Sequence, residues 1–239
     1  MVKTISLFLH PEKNVFDWSD VILKCYPDLA RKIKSSQTEK SEKKIIYGFF
    51  SDLRKKRKNK IDKTLKNLKS SWGKIEKDIF GALSDITETN LSRNSSISAF
   101  LSFNPICPRH IETKEFLIYI FFNKKEMLAT MIHEIFHFYF FKKFSEIFPK
   151  VDKKKYDAPY LEWCLSEIIV EAVLNDKKVQ KVFKYNFKTY KEFQKARIEG
   201  ELLLLKIDSL YKKRINFEDF TGKTYRFLKD NEKIIRARS

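Results

Sequence analysis

Glycine is scarce in this chain, with five residues in 239. No phosphate-binding glycine loop and no G-x-G-x-x-G turn is present, so a P-loop nucleotide site and a dinucleotide-binding fold are excluded. Cysteine is scarcer still. Cys25, Cys107 and Cys164 are odd in number and lack zinc-ribbon spacing, which fits a reducing, cytoplasmic setting. No apolar run is long enough to cross a bilayer, so no transmembrane segment is expected. The apolar stretch at the N-terminus, Ile5 to Leu9, is too short for a signal-peptide core and has no small-residue cleavage site after it. Repeats and low-complexity linkers are also missing, and the length suits one sizeable core.

Histidine is nearly absent too, and its placement turns scarcity into information. Two of the four histidines lie in one stretch, Met131-Ile132-His133-Glu134-Ile135-Phe136-His137-Phe138, which contains H-E-x-x-H. On a helix, residues i and i+4 lie one above the other, so His133 and His137 can turn two imidazole nitrogens toward one metal ion. Glu134 can then reach a water in the metal's open coordination position and serve as general base. The flanks support a helix. Asn123 with Glu126 three residues later reads as an N-cap and capping box. Met127, Leu128, Met131, Ile132, Ile135, Phe136 and Tyr139 follow at helical spacing and cover most of the circumference, as in a buried helix. Two imidazoles and a carboxylate inside such a helix are costly unless something pairs with them, and a metal would do so. Phe138 to Phe141 would also suit a strand; Lys142 and Lys143 are reasonable last-turn residues.

No histidine follows His137, and Phe140 and Lys143 stand where a metzincin needs Gly and His. A third ligand must come from elsewhere. Pro159 to Asn175 reads as one amphipathic helix with Pro159 at its first position. Glu167 and Glu171 share one face of it with Trp163, Cys164 and Leu174, among apolar neighbours that leave little polar surface. One of this pair is the candidate third ligand; the residues themselves leave open which.

H-E-x-x-H on one helix and a Glu on a later one resembles the gluzincin group of zinc metallopeptidases. The resemblance covers residues 95–176. It implies zinc (Zn2+) as cofactor, Glu134 as general base and His133, His137 and Glu167 as metal ligands, with Glu171 orienting a liganding histidine. The group more often carries Asp at that last place. The implied fold is α+β: a mostly helical zincin-like domain with a small β-sheet preceding the active-site helix. Within a single domain spanning 1–239, residues 1–90 would supply basic amphipathic helices, 95–176 the metal-binding core and 177–239 C-terminal helices. The implied activity is hydrolysis of peptide or protein substrates. Strands are expected at Ser98 to Phe103 and Glu115 to Phe122, joined by a turn-rich link. In the gluzincin arrangement an edge strand pairs with extended substrate, and Ser98 to Phe103 is the candidate. His110, in the link, reads as a surface residue before a catalytic one; Tyr156 and Tyr160 are weaker candidates for oxyanion donors.

Positive charge is the excess that remains, a formal net charge of +18 concentrated between Leu53 and Lys77. Ile61, Leu65, Leu68, Trp72, Ile75, Ile79 and Leu83 recur there at steps of three and four. They form the apolar stripe of one long helix, or of two broken near Ser70-Ser71, with the lysines as solvated face. A nucleic-acid or other anionic partner is the less favoured reading. Ile5 to Leu9 is read as a strand, Trp18 to Cys25 as a short helix, Thr87 to Ser96 as a loop, and Tyr190 to Tyr211 and Tyr225 to Ile235 as helical cover. Two functions compete with the peptidase: a basic helical binding protein with a structural or vestigial metal site, and another metalloenzyme, since two His and one carboxylate also describe non-haem iron.

Overall fold

The structure, a computed structural model, describes residues 6–9 (backbone), 24–36, 38–91 and 96–237. The helix read over Trp18 to Cys25 lies largely outside these. The chain is α+β, with helices in the majority and one four-stranded mixed sheet. No helix of the described residues is long and apolar enough to cross a membrane. The described residues divide into two compact units, neither continuous in sequence. One comprises residues 75–91 and 132–237; the other comprises β1, residues 24–74 and 96–131. Their limits do not follow the divisions read at residues 90–95 and 176.

The second unit holds the sheet, of order β1-β2-β4-β3, from β1 (Ser6–Leu9), β2 (Ser98–Ser102), β3 (Arg109–His110) and β4 (Glu115–Tyr119). The strands read ahead of the motif are there, but their order corrects one expectation. β2 pairs in parallel with β1 on one side and with β4 on the other. Both of its hydrogen-bonding edges are filled, so Ser98 to Phe103 is not the edge that could take up a peptide. β3 pairs antiparallel with β4 at the sheet's other edge and carries His110, which is exposed.

Around the sheet lie α1 (Pro27–Lys34) and α2 (Glu39–Gly73). Thr38 caps α2 by accepting from the Ser41 N–H, and Ser41 reciprocates. Helix α2 buries Ile46, Phe50, Ile61, Leu68 and Trp72. The expected stripe is present, with its break later than Ser70-Ser71. Serines at exposed and half-buried positions do not interrupt the ladder; the helix ends at Gly73 and α3 (Glu76–Thr87) begins after Ile75.

Helix α4 (Lys124–Ile147) carries the motif. The Asn123 Oδ1 accepts from the N–H groups of Lys125 at 2.9 Å and Glu126 at 3.0 Å, and Glu126 reaches back to the Asn123 N–H at 2.8 Å. That is the capping box read from the sequence. Beyond Met131 the helix belongs to the first unit. Ile135, Phe136, Phe138, Tyr139, Phe140, Phe141 and Phe144 are all buried there, so helix continues through the aromatic run that also suited a strand.

The rest of the first unit departs further from expectation. The single helix read over 159–175 is two, α5 (Leu161–Ile168) and α6 (Val170–Leu174), with Tyr160 rather than Pro159 at the start. Then come α7 (Lys177–Val182) and α8 (Lys191–Gln194). Next, within the stretch read as helical, is a hairpin of β5 (Arg197–Ile198) and β6 (Glu201–Leu202). Its two loop residues, Glu199 and Gly200, have φ of 51° and 83°. Positive φ at both positions suits the twist of a two-residue hairpin, and Gly200 supplies one at no steric cost. Helices α9 (Leu203–Lys212), α10 (Phe217–Asp230) and α11 (Glu232–Arg236) follow. α10 and α11 pack on α5, and α9 on α6.

Candidate metal centre

The site is built from two helices of the first unit. Adjacent turns of α4 bring the rings of His133 and His137 to 4.7 Å between centroids, with their Nε2 atoms 2.9 Å apart. The last turn of α5 delivers Glu167. One of its carboxylate oxygens is 3.3 Å from His133 Nε2 and the other 3.4 Å from His137 Nε2. Glu134 lies beside this group, its Oε1 3.9 Å from His133 Nε2. His137 is fully buried, Glu134 and Glu167 nearly so, and the His133 side chain remains 22% exposed. Solvent therefore meets the cluster on the His133 side.

Packing fixes the His137 ring. Phe136 is 5.7 Å away, and Phe141, one turn on, stacks against it at 6.3 Å. Tyr156 stacks behind Phe141 at 4.3 Å. Tyr156 is thereby a packing residue. Burial and the nearby Glu162 carboxylate raise its phenol pKa, and its hydroxyl makes no hydrogen bond among the described residues. Tyr160 is 40% exposed at the start of α5.

The two glutamates of α5 and α6 have different surroundings. Regular α-helix is interrupted at Ile169, between them. Glu167 faces both imidazoles. The Glu171 carboxylate holds Lys188 Nζ at 2.9 Å and accepts from the Thr189 N–H at 3.1 Å. It ties down the segment after α7 and is not in contact with a histidine, so the role of orienting a liganding imidazole is not one that its geometry supports. Lys188 and Thr189 escaped sequence reasoning because they lie in irregular chain, where no periodicity marks them. Glu162, buried in the first turn of α5, escaped likewise. It accepts from the Tyr225 hydroxyl of α10 at 2.7 Å and so joins the two helices.

His133, His137 and Glu167 place one ligand atom each within 4.8 Å of one another, and among the described residues this is the group able to hold a metal. The donor set fits such an ion. Two imidazole nitrogens with one carboxylate oxygen suit zinc, and burial excludes much of the water that competes for them. Three protein ligands are the number found at catalytic zinc, where one position stays open; structural zinc takes four. No protein-family model matches the chain, and comparison with curated proteins and with solved structures finds no match.

Proposed function

We propose that the chain is a zinc-dependent metallopeptidase of gluzincin type with a zincin-like fold, working in the reducing cytoplasm that its odd cysteines suit. The observation that carries this reading is the meeting of His133, His137 and Glu167 within 3.4 Å of one another, from two helices and with Glu167 thirty positions past His137, with Glu134 alongside. Buried polar groups from separate elements gather at one point only at a cost, which a shared cation offsets.

Zinc, when bound, would supply a Lewis acid that polarises a peptide carbonyl and acidifies water. His133, His137 and Glu167 would hold it. Glu134, adjacent in sequence to one ligand and not itself in the ligand set, would accept the proton of the attacking water at its carboxylate. It would then return that proton to the leaving amine nitrogen. The exposed edge of His133 marks the side from which a peptide or protein substrate would enter.

Metal analysis of the full chain purified without added metal, followed by turnover of a quenched peptide library, tests the reading. One zinc per chain is expected. Glu134→Gln keeps the shape and removes the basicity, so it should retain zinc and lose roughly 10²–10⁴-fold in turnover. Iron in place of zinc would favour an oxygenase-type site. A chain that stays empty when zinc is supplied, or a Glu134→Gln variant as active as wild type, would overturn the proposal.

A further inference from the structure

Helix α2 of the second unit carries a surface unrelated to the metal site. Seven consecutive residues, Arg54 to Lys60, are all exposed, so for about two turns no side chain of the helix is buried. Six of the seven are Lys or Arg. None of the six forms an ion pair with a described residue. Four cations elsewhere on the surface are matched one turn away, Lys142 with Glu146, Lys212 with Asp208, Lys223 with Asp219 and Arg236 with Glu232, while others on α2, such as Lys63, Lys66 and Lys69, are unpaired among the described residues as the row is. Such pairs mildly stabilise a solvated helix, and like charges four apart, such as Arg54 with Lys58 and Lys56 with Lys60, oppose it.

The row leads into an aromatic cleft. The Arg57 guanidinium sits 5.0 Å from the centroid of the Phe121 ring. On the same face of α2, Lys60 and Asn67 line a cavity of about 200 Å³ whose other wall includes Phe121, Phe122 and Lys124. Both rings are half-buried, and no described carboxylate lines the cavity. At the other end of the row, the cleft beside Phe49 is lined by Arg31, Lys32 and Lys56 but also by the carboxylates of Asp28, which pairs with Arg31, and Asp52, so its cations are partly matched. On the cleft's side of the helix the cations are Lys56, Arg57 and Lys60, at three- and four-residue spacing, so the favourable track runs from Lys56 toward Asn67.

We infer that this track binds single-stranded nucleic acid. The cation row takes backbone phosphates, and the cleft receives an unstacked base against Phe121 and Phe122, with Lys60 and Lys124 on the flanking phosphates. Cationic grooves with aromatic platforms recognise single strands in this way, because every base has a face to stack. A duplex keeps its bases stacked and cannot fill the cleft. A membrane surface fits poorly, since Arg54 to Lys60 contains no apolar residue to enter the lipid boundary.

Fluorescence anisotropy with the full chain and a labelled 20-nucleotide single strand tests the inference. The competitors are the matching duplex, heparin and phosphatidylserine-containing vesicles, across a salt series. The single strand should bind at physiological salt and at least tenfold more tightly than the duplex. Substituting Lys56 and Arg57 by Gln should flatten the slope of log K against log salt by about 0.7 for each phosphate that is no longer neutralised. Phe121→Leu should weaken binding on the order of tenfold and leave that slope unchanged. Lys60→Gln with Lys124→Gln, both surface changes, repeats the cleft test without touching packing. Unchanged circular dichroism identifies folded variants. Binding that vanishes at physiological salt overturns the inference. So does equal binding of duplex, heparin or vesicles, or folded cleft variants that bind like wild type.

Discussion

Helix α4 is buried on nearly every side where it carries His133, Glu134 and His137, whereas α2 passes two turns with nothing buried and six cations outside. The same chain thus places charge in two physically opposite settings. Inside α4, polar groups are few and converge within hydrogen-bonding distance of a second helix, because an isolated buried charge is not tolerated. Along α2, charges are many and spread, because water solvates each and their mutual repulsion is screened. Substitution should therefore be selective and severe at the first and nearly silent for folding at the second.

The largest expected effect separates the two glutamates that sequence spacing alone could not tell apart. Glu167→Gln should reduce bound zinc from one per chain to a small fraction, since a neutral amide is a far poorer ligand than a carboxylate. Glu171→Gln should leave zinc content near wild type, because its partners are Lys188 and Thr189. Metal analysis of both variants after identical dialysis decides between them. Loss of zinc only in the Glu171 variant would reverse the ligand assignment.

Next in size is the anchoring of α2 itself. Trp72 is 1% exposed at the end of that helix's buried stripe. Trp72→Ala should cost about 3–5 kcal/mol, read by urea unfolding followed by circular dichroism. A cost below about 1 kcal/mol would mean that the stripe does not anchor the helix as its burial implies.

The smallest effect belongs to the cations. Neutralising Arg54, Lys55 and Lys58 together should change unfolding free energy by no more than about 0.5 kcal/mol at each site, with stabilisation the expected sign at low salt, as repulsion is relieved. Strong destabilisation of this variant at all salt concentrations would show that the row makes structural contacts, and would remove the contrast between the two helices.

Local chemistry made part of this architecture legible in advance. The Asn123–Glu126 capping box, the buried circumference of α4 and the three-and-four spacing of α2 all depend on residues within a turn or two of one another. They appear where the sequence puts them. The i, i+4 meeting of His133 and His137 is of the same kind, and so is the exposure of Arg54 to Lys60. Where a local signal was weak, the reading failed. Glu199-Gly200 turns a stretch rich in helix formers into a hairpin, and Asn216 starts α10 well before the helix read at Tyr225, its side chain accepting from the Asp219 N–H at 2.7 Å.

What the sequence by itself determined, then, is the two long helices α2 and α4, their faces and the chemical identity of the candidate ligands, because hydrogen bonding within a helix and the burial of one stripe are settled by near neighbours. Only the tertiary structure decided which glutamate meets the histidines and what occupies the other. The interruption at Ile169 lies between two residues that an uninterrupted helix would treat alike, and Lys188 reaches Glu171 from irregular chain. Tertiary structure also decided that β2 is interior. Its partner β1 lies some ninety residues upstream, and strand pairing at that separation leaves no trace in the residues of either strand, since all parallel neighbours offer the same backbone groups.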